Sequence, residues 1–132
     1  MSQNRDLVER AFADWTAGRG HVKDLFADDM TWEIVGESRL AGRYTSTQDF
    51  TDRALGRFAA LFEGGSPLRP VEVSRVHDAG DTVVVVWVGE GAAADGRTYR
   101  NTYAWFLTLA DGLVVDGLAF FDTLAVERFW GD

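Results

Sequence analysis

Apolar residues follow two different periods along the chain, helical in the first half and alternating in the second. Near the amino terminus they recur three or four residues apart, at Leu7, Val8, Ala11, Phe12 and Trp15. This spacing places them on one face of an amphipathic helix. The glycines at positions 18 and 20 predict the end of that helix.

Three more elements are predicted before the period changes. A short second helix is expected over His21 to Phe26, and the alternating stretch "MTWEIV" predicts a strand. The segment "GESRLAGRY" is expected to be a loop. Ser46 and Asp49 have the spacing of a capping box, which predicts the start of a third helix. The core face of that helix would consist of Phe50, Ala54, Phe58, Leu61 and Phe62.

The second half of the chain predicts four strands in succession. They cover Val71 to His77, Thr82 to Val88, Thr98 to Leu109, and Leu113 to Phe121. The segments "DAGD" and "LADG" between them are typical of hairpin turns. Helices followed by antiparallel strands predict an α+β fold, with three helices packed on a curved, mainly antiparallel sheet.

Length, charge and cysteine content narrow the possible functions. The 132 residues predict one domain, and a formal net charge of −8 disfavours both nucleic acid and membrane surfaces as partners. The chain has no cysteine, its amino terminus is polar, and no apolar run approaches the roughly 20 residues of a membrane span. We therefore expect a cytoplasmic protein.

Neither a cofactor nor a metal is expected. The glycines of "GEGAAADGR" do not form a phosphate-binding or dinucleotide fingerprint, and that segment is predicted to be a hairpin loop. The acidic pairs Asp28 with Asp29 and Asp14 with Asp24 lack a supporting histidine at ligand spacing, so a solvated face is the preferred interpretation.

The order of the elements and three segments, "LFADDMTWEIVG", "YRNTYAWFLTLADGLVV" and "FFDT", resemble the nuclear transport factor 2-like superfamily. Within it, the chain looks most similar to SnoaL-like, ketosteroid-isomerase-related proteins. The resemblance covers nearly all of residues 1–132. It implies a cone-shaped α+β barrel around a pocket, commonly in a homodimer, and a range of functions from isomerases and polyketide cyclases to binding proteins.

The resemblance also indicates which catalytic groups are missing. The catalytic base of the ketosteroid isomerases falls on Ile34, their protonated Asp on Ala104, and their first-helix Tyr near Ala11. A carboxylate of the limonene epoxide hydrolases falls on Ala119. None of these residues moves a proton, so both mechanisms are disfavoured.

The same matches imply which side chains face the pocket, because neighbouring residues of a strand point to opposite faces. The predicted pocket residues are Trp32, Ile34, Thr102, Ala104, Phe106, Ala119 and Phe121, and a bulge would reverse this assignment. The opposite face would then carry Asn101, Tyr103, Trp105, Phe120 and Asp122 and would pack against a second copy of the chain. Trp15 and Trp87 are further candidates for a slot that takes a flat ligand, although aromatic residues at these spacings also fill cores.

Two residues are candidates for acid–base chemistry. Asp122 follows the last predicted strand, and His77 is the only histidine in the β half. Each also has a structural interpretation, Asp122 as a backbone hydrogen-bond acceptor and His77 as a solvated residue near a turn. His21, beside Gly20, is expected to be exposed. Two functions stay open: a small enzyme of the isomerase or cyclase type acting on an apolar cyclic or polyketide-like molecule, or a non-catalytic domain for ligand binding or dimerisation.

Overall fold

The computed structural model describes residues 3–62 and 68–131. Helix α1 covers Gln3–Thr16, and a single 3-10 turn covers Val22–Leu25. A second helical stretch has three parts: α2, Thr47–Phe50; a π-helical turn, Thr51–Leu55; and α3, Gly56–Ala59. Helix α4, Thr123–Trp130, follows the last strand and was not predicted.

Six strands form one sheet. They are β1, Phe26–Ile34; β2, Gly42–Tyr44; β3, Arg69–Ala79; β4, Thr82–Ala92; β5, Thr98–Ala110; and β6, Leu113–Phe121. Their order is β2-β1-β6-β5-β4-β3, in which only the β1–β6 pair is parallel. The predicted α+β fold with a mainly antiparallel sheet is confirmed, and the short strand β2 lies within the segment predicted as a loop.

A bulge in β6 decides which residues of β5 face inward. Next to the hairpin turn, Leu109 pairs with Val114, but one step further Thr108 pairs with Asp116. Val115 is therefore an extra residue in β6, and the register beyond it shifts by one. As a result Trp105, and not Ala104, lies opposite Ala119.

The helices pack on one face of the sheet, which we call the inner face. Val8, Phe12 and Trp15 of α1 are buried there, in one continuous core with Val85 and Trp87 of β4. The outer face carries Phe106 and Phe120, whose rings lie 5.8 Å apart. No helix in the two described ranges is long and apolar enough to cross a membrane.

A cap, an ion pair and a cation–π contact hold two of the helices in place. Ser46 caps α2 by accepting a hydrogen bond from the Asp49 backbone N–H at 2.9 Å, as its spacing predicted. Helix α4 is held by Glu127, which pairs with Arg39 at 3.1 Å, and by the ring of Trp130, which lies under the Arg39 guanidinium at 5.0 Å. Helix α4 can therefore close one side of the space between helices and sheet.

Candidate functional site

A cavity of about 250 Å³ lies between the inner face of the sheet and the helices. The cavity is lined by residues of β1, β4, β5 and β6 and of each described helical segment, including Val126 of α4. Most of the wall is aromatic. The rings are those of Trp15, His21, Trp32, Phe50, Phe58, Phe62, Trp87, Tyr103, Trp105 and Phe121. We call this space the aromatic cavity.

Four rings form a continuous wall from the 3-10 turn to the middle of the sheet. His21 lies on Trp15 with 4.2 Å between ring centroids, Trp15 lies 5.0 Å from Trp87, and Trp87 stacks on Tyr103 at 4.4 Å and 12°. Trp105 packs edge-to-face against Trp87 at 4.9 Å. Since each ring is held by its neighbours, the wall presents a rigid aromatic surface.

Trp32 forms the opposite wall and needs a glycine beside it. Its ring stacks on Phe50 at 4.6 Å and meets Trp105 edge-to-face at 4.9 Å. Gly117 is paired directly with Trp32 in the parallel β1–β6 ladder, and a Cβ atom at Gly117 would lie 2.0 Å from the Trp32 ring. The absence of a side chain at residue 117 is therefore what admits the indole to the cavity wall.

His21 places a polar group on the cavity wall. It is the N-cap of the 3-10 turn. Its Nδ1 accepts a hydrogen bond from the Lys23 backbone N–H at 3.1 Å, and its backbone N–H donates to the Asp24 carboxylate at 3.2 Å. Burial, and secondarily the positive charge of Lys23, lower the pKa of His21 from 6.5 to about 4, against a smaller opposing effect of Asp24. The ring is therefore neutral at pH 7, and because Nδ1 is an acceptor, the ring hydrogen lies on Nε2.

Tyr103 ends a chain of hydrogen bonds. Asn101 accepts the backbone N–H groups of Thr102 and Asp122 on its oxygen, which leaves its amide nitrogen to donate to the Tyr99 hydroxyl at 2.8 Å. The Tyr99 and Tyr103 hydroxyls lie 2.6 Å apart. Either hydroxyl can be the donor of that hydrogen bond, which links Tyr103 through Tyr99 to Asn101.

Burial keeps both tyrosines protonated. It is the main cause that raises the pKa of Tyr99 above its ordinary value, and it raises that of Tyr103 well above it. Both hydroxyls are therefore hydrogen-bond donors throughout the neutral pH range.

Three lining residues carry a buried polar atom without a described partner. The indole nitrogens of Trp15, Trp32 and Trp87 are buried and have no hydrogen-bond partner within the described part of the chain. Among the described lining residues there is no Asp or Glu, and Lys23 is the one formally charged residue. Across residues 3–62 and 68–131, no group of three or more potential metal ligands occurs.

The structure brings together six of the predicted pocket residues and excludes three. The residues that line the cavity are Trp15, Trp32, Ile34, Trp87, Ala119 and Phe121. Thr102, Ala104 and Phe106 lie on the outer face, so their assignment to the pocket is wrong. The physical reason is the extra residue Val115, which shifts the β5–β6 register. Because Ala104 points away, the match between it and the protonated Asp of the isomerases also loses its geometric basis.

The two residues predicted for acid–base chemistry do not line the cavity. Asp122 is an exposed N-cap of α4, and its side chain accepts the Ala125 backbone N–H at 3.1 Å. His77 is exposed on β3, opposite Val84. The structural interpretation of both residues therefore fits their positions, and neither lies where it could reach a molecule in the cavity.

The lining residues that sequence reasoning missed include His21, Tyr103 and Trp105. The prediction that His21 is exposed is wrong, because its ring is packed on Trp15. A signal for Tyr103 and Trp105 was present, since all the large apolar residues of β5 except Phe106 occupy odd-numbered positions. For His21, the spacing to Asp24 is that of a capping box, although histidine is an unusual N-cap.

The chain belongs to the SnoaL-like domain family, whose model matches residues 8–117. That stretch contains most of the aromatic cavity, while α4 lies beyond it. Among curated proteins, none matches the chain significantly.

Solved structures share the nuclear transport factor 2-like fold. An NTF2-like protein from Burkholderia thailandensis is 21% identical, with 100% of each chain covered and a TM-score of 0.76. TerC, crystallised with polyporic acid, is 20% identical over 97% of this chain and 98% of its own, with a TM-score of 0.76. A hypothetical protein from Catenulispora acidiphila with a ketosteroid isomerase-like fold, in complex with trimethylamine, is 18% identical over 92% and 88%, with a TM-score of 0.66.

Proposed function

We propose that the chain binds a planar, largely apolar ring compound in the aromatic cavity and acts on it as a small enzyme of the isomerase or cyclase type. The observation that carries this proposal is the cavity itself, about 250 Å³ walled by four tryptophans. Concave, mostly apolar spaces with a few polar groups are the usual form of small-molecule sites. A polyketide-like or other cyclic substrate fits such walls.

The chemistry available to such an enzyme follows from the polar groups that are present. His21 and Tyr103 are neutral hydrogen-bond donors, and a donor aimed at a carbonyl oxygen stabilises the negative charge that develops there during enolisation or ring closure. No described lining residue is a carboxylate that could remove a proton. A proton lost by the substrate would therefore pass to solvent water, while the rigid walls hold the reacting atoms close together.

A non-catalytic binding domain is the second candidate. The lack of an acid or base at Ile34 and Ala119, both of which line the cavity, favours it. The ligands of two proteins with this fold, polyporic acid and trimethylamine, support small-molecule binding in general without choosing between the two functions. Compounds that co-purify with the protein would separate the functions: a chemical change in the bound compound supports an enzyme, and an unaltered compound supports a binding domain.

Two phenylalanines offer a matched test of the cavity as the binding site. Phe121→Ala removes a lining ring, whereas Phe106→Ala removes a ring from the outer face of the same sheet. Burial of apolar surface is worth roughly 25 cal/mol per Å², so the loss of the Phe121 ring should weaken a bound hydrophobic fluorophore by about 1–3 kcal/mol. The fluorophore is titrated into both variants after circular dichroism confirms that they fold. Equal binding by the two variants would place the site elsewhere.

We also propose that the outer face forms a homodimer. Phe120 is 43% exposed and packs only edge-to-face on Phe106, so a second copy would cover apolar surface there. Tyr103 and Trp105, which the sequence placed on this face, are buried on the inner face and do not contribute. A single domain over residues 1–132, the absence of nucleic-acid and membrane partners, and a cytoplasmic location stay predictions of the sequence.

A further inference from the structure

The helical stretch of residues 47–62, which we call the roof, covers the aromatic cavity and contains one turn that is wider than an α-helix. Among its lining residues, Phe50, Ala54 and Phe58 recur every four residues. In an α-helix this spacing drifts by about 40° per step, so Phe58 would point about 80° away from Phe50. The π-helical turn Thr51–Leu55 takes up one extra residue, so all three side chains stay on the cavity side.

The wide turn closes at a glycine. The Gly56 N–H donates to the carbonyl oxygen of Thr51, five residues earlier, which is the hydrogen bond of a π-helix. A Cβ atom at residue 56 would lie 2.9 Å from that oxygen, and no described side chain comes within 4 Å of the same point. An alanine at residue 56 would therefore strain the π turn specifically.

Both ends of the roof are attached to the sheet, and the π turn lies between the two attachments. At the first end, the Thr47 hydroxyl donates to the Ala27 carbonyl oxygen at 2.6 Å. At the second end, the Ala94 backbone N–H donates to the Leu61 carbonyl oxygen at 3.2 Å. The middle of the roof can therefore bend without detaching either end.

The opening of the aromatic cavity lies beside the π turn. Three lining residues are also exposed to solvent: Lys23, Gly56 and Ala59. The space behind them measures about 250 Å³, which is less than the roughly 300–1,000 Å³ of typical small-molecule sites. A ligand of ordinary size therefore requires the roof to move outward.

We propose that the π turn is a hinge: the middle of the roof swings away from the sheet, which opens and enlarges the aromatic cavity as a ligand enters. This inference rests on the proposed small-molecule function and adds the movement that admits the ligand. Helices bend sharply at π turns, which occur frequently at functional sites. Helices α2 and α3 on either side have four residues each, so no long α-helical ladder stiffens the roof.

Deletion of Asp52 tests the hinge by removing one residue from the turn. Phe50 and Phe58 would then stand seven positions apart, which an α-helix returns to within about 20° of one direction, so the roof can become a continuous α-helix that keeps its lining face. Asp52 is exposed. Asp52→Ala is the matched control, because it removes the same side chain without shortening the turn.

Binding of the fluorophore N-phenyl-1-naphthylamine is followed by stopped-flow fluorescence. The association rate constant should fall at least about 5-fold in the chain without Asp52, because a continuous helix must break at least one more backbone hydrogen bond to open. In Asp52→Ala it should stay within about 2-fold of the wild type, since the hinge is intact. An unchanged rate constant in the folded, shortened chain would overturn the hinge.

Gly56→Ala reports whether the π turn is present in each chain. In the wild type it should lower the urea midpoint of unfolding, because the new Cβ atom meets the Thr51 oxygen. In the chain without Asp52 it should raise the midpoint, because that oxygen becomes an ordinary α-helical acceptor and alanine is a better helix former than glycine. A lower midpoint in both chains would contradict the conversion from a π turn to an α-helix on which the hinge argument depends.

Amide hydrogen exchange measures the hinge without a ligand, and it decides the question if the shortened chain does not fold. After correction for intrinsic rates, the Gly56 N–H should exchange at least about 10-fold faster than the Phe12 N–H in the middle of α1. Equal protection of the two amides would overturn the hinge and leave a small-molecule cavity standing. Failure of the wild type to bind the fluorophore would instead count against the proposed function, and hydrogen exchange would still decide whether the roof bends.

Discussion

The partly buried, neutral ring of His21 predicts a specific pH dependence of stability. The pKa of His21 in the folded protein, about 4, is lower than the 6.5 of an unperturbed histidine. The unfolded chain therefore takes up this proton more readily. The part of the folding free energy that depends on a neutral His21 is fully present above about pH 6.5 and is lost as the pH falls toward 4. A fall of one in pKa corresponds to about 1.4 kcal/mol, so the loss by pH 4 is on the order of 3 kcal/mol.

The assay compares the wild type with His21→Asn, which keeps a capping acceptor for the Lys23 N–H but cannot titrate. Urea unfolding is measured from pH 7.5 to 4.5. The difference in free energy of unfolding between the two proteins should fall by up to about 1.4 kcal/mol per pH unit below pH 6. Carboxylates titrate in both proteins and cancel in the difference. His77→Asn, at an exposed site on β3, controls for the loss of one histidine.

A direct titration of the His21 ring by NMR completes the test, and the two histidines of the chain are assigned from the two variants. A midpoint near 6.5, together with parallel stability curves for wild type and His21→Asn, would refute the argument that burial holds the ring neutral. His21 would then be charged at mildly acidic pH, and its role as a neutral donor would fail with it.

Two further predictions concern the sheet. Gly117→Ala should destabilise the fold by about 1–3 kcal/mol in urea unfolding, because the new methyl group would overlap the Trp32 ring, which Phe50 and Trp105 prevent from moving; wild-type stability would contradict this. The wild type should sediment at about twice the 14.6 kDa of one chain, and Phe120→Glu should sediment as a monomer. A monomeric wild type, or a dimer unaffected by Phe120→Glu, would exclude this interface.

Most of the fold was predictable because local patterns and tertiary structure agree. The apolar stripe of α1, the cap at Ser46 and the alternation of β3 to β6 all specify elements that the structure contains. Helix α4 was not predicted, because the segments that carry the resemblance end at "FFDT", just where the N-cap Asp122 begins this helix.

The site was predicted less well than the fold because its position depends on one inserted residue. Counting from the hairpin turn without interruption pairs Ala104 with Ala119, since Leu109 does pair with Val114. No local propensity marks Val115 as a bulge, because valine favours an ordinary strand as much as a bulged one. The alternation within β5 was the better guide: apart from Phe106, its large apolar residues stand at odd-numbered positions, and Tyr103, Trp105 and Leu107 are buried.

The bulge connects the register of the sheet to the chemistry of the cavity. Without Val115 as an extra residue, the side of β5 that meets Ala119 would carry Ala104 and Thr102, and the cavity would lose Trp105 and the Tyr103 hydroxyl. Asn101 would turn outward with them, so the chain of hydrogen bonds that fixes Tyr103 would have no anchor at Asp122. A one-residue shift exchanges every side chain between the two faces of a strand. The position of the Tyr103 hydroxyl therefore depends on a backbone irregularity roughly 17 Å away along the extended strand, at about 3.3 Å per residue. In relatives with a different register at this point, the equivalent strand would present the other set of side chains, so transfer of site residues between family members requires the register to be established first.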